Sequence, residues 1–156
     1  MQDRWKVEIN ATAERVWPLV GDVQHHADWS PKPYRANWLS GVPNAVGSTF
    51  ESFGWLPGKS ANRMEGEVTE SDPPRRYAVR TRDDKGNTYV NTFVVTTNGD
   101  STTVEKIQDT PDPTGFMKLM WPILNGVYVH SAQQKGLDLL KSKAESSPAP
   151  SGGVTS

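Results

Sequence analysis

The chain contains no cysteine, only three histidines and no long apolar run. The lack of cysteine excludes disulfides, thiolate metal ligands and a cysteine nucleophile, and nothing in the sequence marks an oxidising compartment. No apolar run approaches the ~18 residues that a membrane span needs, so we predict no integral membrane association. The start of the chain is polar and leads straight into a strand pattern, unlike a secretion signal, so we expect a cytoplasmic protein.

Neither sign of charge is in marked excess, because the chain has 17 Lys and Arg and 18 Asp and Glu, for a net charge of −1. No overall field favours nucleic acid, and we predict no nucleic-acid partner. His25 and His26 lie near Asp22 and Asp28, but adjacent side chains on a helix point about 100° apart and rarely bind one ion. We therefore interpret them as a solvated or capping cluster, and predict neither a metal nor another cofactor.

Tryptophan, by contrast, is abundant, with six in 156 residues. Two of them, Trp17 and Trp29, stand where short helices are predicted after an amino-terminal strand. Large amphipathic rings there favour an apolar interior with few polar groups, which is suited to binding a hydrophobic or aromatic small molecule. The length predicts a single domain, residues 4–145. Residues 146–156 are rich in Ser, Pro and Gly and predict a disordered tail.

The amino-terminal pattern predicts one strand and two short helices. Residues 4–10 alternate, with Trp5, Val7 and Ile9 on one face, which is typical of a half-buried strand. Thr12 is expected to cap a helix that Pro18 bends or shortens. A second short helix is predicted over residues 23–28, capped by Asp22.

Strand and turn patterns then alternate as far as residue 109. Short connections between consecutive strands predict an antiparallel meander. Residues 56–59 are expected to form a hairpin turn. The six predicted strands cover residues 35–40, 47–55, 62–71, 75–82, 88–97 and 102–109.

A long helix is predicted from Phe116 to about Ala144, with a kink at Pro122. Its first half is apolar nearly all round, which predicts that it is enclosed or touches something besides its own sheet. A curved sheet needs its inner face covered, and only this helix is long enough. We therefore expect an α+β fold: a curved seven-stranded antiparallel sheet wrapped around a long C-terminal helix, with two short helices after the first strand and a cavity between sheet and helix.

Alternation also indicates which side chains enter the cavity. Tyr89, Asn91 and Phe93 share a face that the aromatic rings place inside, and Asn91 would then need a partner or would anchor a ligand. For residues 102–109 the alternation leaves both faces open. Glu105 either enters the cavity, where it could act as a general acid or base, or lies outside and pairs with a surface cation.

Several segments together carry a family resemblance over roughly residues 5–145. The chain resembles the START-like, or SRPBCC, helix-grip superfamily, and within it the bacterial polyketide cyclase/dehydrase and lipid-transport group. That resemblance implies a deep cavity, but its members differ in ligand and reaction, so the group name does not establish cyclase activity. The matching segments are residues 9–17 (Ile-Asn-Ala-Thr-Ala-Glu-Arg-Val-Trp), 22–23 (Asp-Val), 28–31 (Asp-Trp-Ser-Pro), 67–68 (Glu-Val), 72–75 (Asp-Pro-Pro-Arg) and 136–141 (Gly-Leu-Asp-Leu-Leu-Lys).

No catalytic motif supports a particular reaction. Residues 54–60 look like a phosphate loop, but three residues separate the glycines where that loop needs four, and the segment leads into a strand. Neither a Gly-x-Ser-x-Gly elbow nor a His-Glu-x-x-His pair occurs. The sequence therefore leaves open whether the protein is an enzyme.

Three functions remain as hypotheses. The first is binding, and possible transfer, of a hydrophobic or aromatic small molecule such as a lipid, isoprenoid or polyketide. The second is an aromatase/cyclase-type enzyme acting on a polyketide-like substrate, with Tyr77, Tyr89, Glu105 and His130 as candidate catalytic residues. The third is a regulatory or protein-interaction domain, with the Trp121 stripe and Trp55 as an exposed apolar patch. The residues expected to line or gate the cavity are Trp29, Trp38, Phe50, Met64, Tyr77, Tyr89, Asn91, Phe93, Met120, Trp121 and Leu124.

Overall fold

One antiparallel sheet organises the molecule. The computed structural model describes the backbone of residues 1–56 and 59–146, and the side chains of residues 1–54 and 62–146. Seven strands pair in the order β1-β7-β6-β5-β4-β3-β2, as the meander pattern predicts. Residues 57–58 of the turn predicted at 56–59 and residues 147–156 of the tail predicted at 146–156 lie outside this part of the chain. The strands are β1 Gln2–Ile9, β2 Arg35–Ser40, β3 Thr49–Leu56, β4 Lys59–Asp72, β5 Arg76–Arg82, β6 Thr88–Asn98 and β7 Ser101–Asp109.

Two short helices follow β1, as predicted: α1 spans Ala13–Val20 and a 3₁₀ helix spans Val23–Asp28. Asp22 caps the second helix by accepting a hydrogen bond from the Gln24 N–H. The expectation that the Thr12 hydroxyl caps α1 is wrong. The Thr12 carbonyl instead accepts the first N–H groups of the helix, those of Arg15 and Val16, both at 3.1 Å.

The C-terminal helix is interrupted where the sequence predicts a kink. It consists of α2 (Phe116–Leu124), a π-helical turn (Asn125–Val129) and α3 (His130–Ser146). Pro122 lies in the last turn of α2 and has no N–H for the Lys118 carbonyl, and the widened turn begins three residues later. None of the helices in the described part of the chain combines the length and apolar character that a membrane span requires.

Strand register decides which face of β7 points inward. Trp5, Val7 and Ile9 are buried, and they pair across the β1–β7 ladder with Lys106, Val104 and Thr102 respectively. Directly paired residues in an antiparallel ladder share a face of the sheet. Lys106 therefore lies on the inner face, whereas Glu105 lies on the outer face beside Arg4, whose Nη1 is 3.3 Å from its carboxylate.

The two ends of the inner face are covered differently. At the end where β1 finishes, which we call the closed end, α1, the 3₁₀ helix and α3 pack over the sheet. Trp29 fills the space there: its ring meets the Phe93 ring edge-on, with centroids 5.9 Å apart, and lies against Gly136 of α3. At the end where β1 begins, which we call the open end, the described residues form no comparable layer.

Gly66 of β4 permits the closest packing within the core. A Cβ built at this position would stand 2.2 Å from the ring of Phe50, which is fully buried on the paired strand β3. We predict that Gly66→Ala lowers the free energy of unfolding by about 1 to 2 kcal/mol, because overpacking displaces a ring that has no room to move. Urea unfolding measures the loss. Gly54→Ala, which meets nothing within 4 Å, is the control; equal losses in both variants would contradict this packing argument.

Candidate functional site

The C-terminal helix runs along β1 rather than across the middle of the sheet. His130 Nδ1 accepts a 2.8 Å hydrogen bond from Trp5 Nε1, and Asn125 Nδ2 lies 3.5 Å from Asp3 Oδ1. Further along, Trp121 Nε1 donates to the sulfur of Met1 at 3.1 Å. These contacts hold the helix over the β1 edge, so it leaves much of the inner face uncovered at the open end.

We call the uncovered region the inner groove. Its floor is the inner face of the sheet at the open end, and its one wall is the C-terminal helix. The side chains on the floor are half-buried, unlike the fully buried residues of the closed end. They are Tyr34, Trp38, Met64, Tyr89, Asn91, Lys106 and Gln108.

Four residues that the sequence places around the cavity belong instead to the packed core. Trp29, Phe50, Tyr77 and Phe93 are each at most 6% exposed. The Trp29 indole N–H donates to the Leu19 carbonyl at 2.9 Å, and the Tyr77 hydroxyl donates to Asn44 at 2.9 Å. These side chains close the inner groove from below, while Trp38, Met64, Tyr89 and Asn91 lie along it.

Asn91 is on the inner face, as the alternation of β6 predicts. Its side-chain oxygen is buried and has no hydrogen-bond partner among the described residues. A buried amide oxygen without a partner costs about 1–3 kcal/mol, so such groups are rare unless something else binds them. The Asn91 oxygen is therefore an unused hydrogen-bond acceptor on the inner face of the sheet.

Lys106 is the feature of the groove that the sequence does not resolve. Its ammonium group donates a 2.5 Å hydrogen bond to Gln133 Oε1 and lies 5.7 Å from the centre of the Phe93 ring. Burial lowers the pKa of Lys106 to about 8. The pairing of Lys106 with Trp5 and Phe93 shows that it faces inward. The orientation of Lys106 could therefore be predicted from the strand register, but not from the alternation of β7.

The four candidate catalytic residues lie in different environments. The Tyr89 hydroxyl is 3.4 Å from Asp83, and burial together with that carboxylate raises its pKa. His130 has its Nδ1 occupied as the acceptor for Trp5, so its neutral ring carries the proton on Nε2. Burial raises the pKa of Tyr77 and keeps its hydroxyl neutral, beside Asn44 rather than the groove. Glu105 is on the outer face, so of the four only Tyr89 and His130 border the groove.

The apolar first half of the C-terminal helix is exposed rather than enclosed. Phe116, Leu119 and Tyr128 are 73%, 75% and 68% exposed, and Met117, Ile123 and Val127 are also exposed. Met120, Trp121 and Leu124, the residues predicted to line or gate the cavity, are half-buried on the same helix. The described part of the chain therefore does not enclose this helix, because α2 passes beside the sheet instead of over it. The other alternative, contact with something besides the sheet, stays a prediction.

The two adjacent histidines differ more than the sequence indicates. His25 is a surface residue whose ring lies 2.8 Å from Asp28, which agrees with a solvated cluster. His26 instead turns inward against the rings of Trp29, Tyr77 and Phe93, and its Nε2 contacts the Val20 carbonyl at 2.8 Å. Burial lowers its pKa to about 4, so His26 is a neutral core residue.

A separate surface cleft of about 470 Å³ lies at the other side of α1, between Trp17, His25 and Asn44. It is wide open to solvent. No group of three or more His, Asp or Glu side chains suited to a metal ion occurs among the described residues. The inner groove, in contrast, combines half-buried rings such as Trp38 and Tyr89 with the unpaired Asn91 oxygen.

The fold alone shows the structural class of the protein. An open antiparallel sheet with a long C-terminal helix is the helix-grip architecture, and solved structures share it. An aromatase/cyclase, Zhui, from a Streptomyces species superposes with a TM-score of 0.77 at 17% identity, covering 99% of both chains. A protein from Chromobacterium violaceum gives 0.71 at 17% identity over 94% of this chain and 99% of that one. Norcoclaurine synthase from Thalictrum flavum gives 0.57 at 18% identity, covering 90% and 87%.

The chain belongs to the family described as polyketide cyclase/dehydrase and lipid transport, whose sequence model matches residues 4–145. This confirms the resemblance and the helix-grip fold. The family supports a ligand-binding domain and leaves the ligand itself open. No curated protein sequence matches the chain.

Proposed function

We propose that the protein binds a hydrophobic or aromatic small molecule, such as a lipid, isoprenoid or polyketide, in the inner groove. The observation that carries the proposal is that Trp38, Met64 and Tyr89 are only half-buried, on a sheet face where rings such as those of Tyr77 and Phe93 are almost completely buried. Covering apolar surface of this kind with a ligand contributes about 25 cal/mol per Å² of favourable binding free energy. The groove is also mostly apolar with a few polar atoms, which is typical of small-molecule sites.

Transfer of the ligand is supported by the position of α2. Its exposed apolar side chains, Phe116, Leu119 and Ile123 among them, follow directly on the groove wall. A hydrophobic molecule that leaves the groove along this wall would pass over these exposed side chains. The helix would thus lower the cost of entry and release.

Native mass spectrometry of the freshly purified protein, compared with its denatured mass, tests the proposal. We expect a discrete additional mass that is lost on denaturation, and its value distinguishes a lipid, an isoprenoid and a polyketide. Titration with Nile red, a neutral apolar dye, provides the second measurement. A bare protein mass together with no dye binding would overturn the proposal.

Shortening side chains on the groove floor should weaken that binding. We predict that the double variant Met64→Ala/Tyr89→Ala binds Nile red about tenfold more weakly, because two contact surfaces are lost. Fluorescence titration measures the affinity, and circular dichroism confirms that the variant is folded. Val90→Ala, on the outer face of the same strand as Tyr89, should bind as the wild type does; a double variant that also binds like wild type would count against this groove.

An aromatase/cyclase-type activity is a second candidate, since Tyr89 and His130 place proton-transfer groups beside the groove. Enolisation and dehydration of a poly-β-keto chain need such groups near the substrate. Comparing turnover of a poly-β-ketone in wild type, Tyr89→Phe and His130→Gln tests this candidate. Full turnover after both replacements would exclude these residues as the acid or base.

The exposed face of α2 also supports the interaction-domain hypothesis, because monomeric proteins rarely leave so many large apolar residues together on their surface. Trp121 is half-buried against Met1, while the side chain of Trp55 lies outside the described residues. Sedimentation at increasing protein concentration tests self-association through this face. A concentration-independent monomer would argue against it.

A further inference from the structure

We infer that Lys106 anchors a carboxylate on the hydrophobic ligand, so that the ligand is an acid with an apolar body rather than a neutral molecule. The inference rests on the proposed function of the inner groove and narrows its ligand to one chemical class. Three observations carry it: the position of Lys106, the lack of an acidic partner for it among the described residues, and the unpaired amide oxygen of the neighbouring Asn91.

Lys106 is built into the groove floor, not placed at its rim. On β7 it is flanked by Trp5 on β1 and Phe93 on β6, both almost completely buried. These rings shield the lysine stem and direct its ammonium group towards the helix wall, where Gln133 accepts its hydrogen bond. A cation held in this way is fixed in position before any ligand arrives.

No carboxylate of the described residues comes within 4.0 Å of the Lys106 ammonium group. Asp3, the acidic residue on the inner face of β1, is two positions beyond Trp5 and is held by Asn125. Exposed cations of the outer face are different, since Arg76 and Arg80 pair with Glu70 and Glu67 at 2.8 and 2.7 Å. Arg76 and Arg80 thus have acidic partners, whereas the neighbours of the Lys106 ammonium group are a neutral amide and the Phe93 ring.

A half-buried ammonium group without a counter-ion is costly, and an acid in the groove would remove that cost. The hydrogen-bonding capacity also fits, because an ammonium group has three N–H donors and only one is used by Gln133. Two donors therefore remain for the oxygens of a carboxylate.

Asn91 provides a second polar contact close by. It pairs with Gln108 across the β6–β7 ladder, one row along from the Phe93–Lys106 pair, so Asn91 and Lys106 are diagonal neighbours on the groove floor. Its unpaired oxygen would accept a hydrogen bond from a hydroxyl next to the carboxylate. Lys106 and the unpaired Asn91 oxygen therefore belong to neighbouring residues of the groove floor.

The test compares acids with their neutral amides. Dodecanoate and dodecanamide represent an aliphatic ligand, and 2-naphthoate and 2-naphthamide an aromatic one; each displaces Nile red from the full chain at pH 7. We expect the wild type to bind one of the acids at least tenfold more tightly than its amide, and the preferred pair shows whether the ligand body is aliphatic or aromatic. Lys106→Met should bind acid and amide equally, with amide affinity within threefold of wild type.

Two variants make the result specific to this charge. Lys106→Arg keeps a cation on the groove floor and should keep the preference for the acid. Lys6→Met removes a cation from the outer face of β1 and should also keep it. An equal affinity of the wild type for acids and amides, or an unchanged preference in Lys106→Met, would overturn the inference while leaving the proposed function intact. Binding of no acid, no amide and no dye would overturn the proposed function, and the inference with it.

Discussion

Replacing Lys106 by methionine should stabilise the ligand-free protein by about 2 kcal/mol at pH 7, although it removes the anchor for the ligand. Burial lowers the pKa of Lys106 from its usual 10.5 to about 8. Each unit of such a shift corresponds to about 1.4 kcal/mol, so the folded state carries an unfavourable term of about 3 kcal/mol from this charge. The lost hydrogen bond to Gln133 offsets part of the gain.

The sign of the pH dependence follows from the two pKa values. Below pH 8 Lys106 is charged in both states, and the full penalty is present. Between pH 8 and 10.5 the folded state releases the proton first, the unfolded state binds more protons, and stability rises with pH. The other titratable groups around Lys106 are His26 in the 3₁₀ helix, His130 in α3 and Asp3 in β1.

Guanidinium unfolding at pH 7 and pH 9 measures both effects. We expect the advantage of Lys106→Met over wild type to shrink by about 1 kcal/mol between these pH values, because the wild-type lysine is then partly neutral. Lys6→Met, which removes an exposed cation, should change stability by less than about 0.5 kcal/mol at either pH. A Lys106→Met variant less stable than wild type at pH 7 would contradict the argument. Destabilising groups at binding sites are common, because function and stability select for different side chains.

The sequence predicts the fold well because most of its signals are local. Alternation of Trp5, Val7 and Ile9 marks β1, and the Pro and Gly turns separate the strands of the meander. The order of elements and the covering of one sheet face then allow few architectures. Strand ends shift by a few residues, as between the predicted start of β4 at residue 62 and the observed Lys59.

The groove is harder to predict because its key residue depends on pairing between distant strands. In β7, Val104 favours one face and Ile107 the other, so alternation alone cannot decide which face is inside. The partner strand does decide, since Trp5 is buried and pairs with Lys106. Register is a property of two segments separated by a hundred residues, which no local pattern contains.

The environment of the exposed first half of the C-terminal helix could not be predicted from the sequence for a different reason. Apolar composition shows that Phe116, Leu119 and their neighbours avoid water, but not which molecule covers them. The sequence left open whether the protein encloses this half of the helix or whether it touches something besides its own sheet. In the structure the helix follows β1 and those side chains face outward. The described part of the chain therefore leaves them exposed, although their composition favours burial.

His26 should make the protein acid-sensitive in a way that its neighbour His25 does not. Burial lowers the pKa of His26 from 6.5 to about 4, and the positive charge of Lys106 adds to the effect, although the Val20 carbonyl and Asp22 oppose it. The unfolded state therefore binds a proton as the pH falls through 6.5, whereas the folded state does not until about pH 4. Stability contributed by the neutral ring is complete above pH 6.5 and is lost below it.

The expected loss from His26 is about 2 kcal/mol between pH 7 and pH 5, and about 3 kcal/mol by pH 4. Urea unfolding at pH 7, 6 and 5 measures it in wild type, His26→Gln and His25→Gln. His26→Gln should be less stable than wild type at pH 7, because the ring packs against Trp29, Tyr77 and Phe93, but its stability should fall less between pH 7 and 5. His25→Gln, whose ring lies at the surface beside Asp28, should keep the wild-type loss. An identical loss in wild type and His26→Gln would show that other groups cause the acid sensitivity.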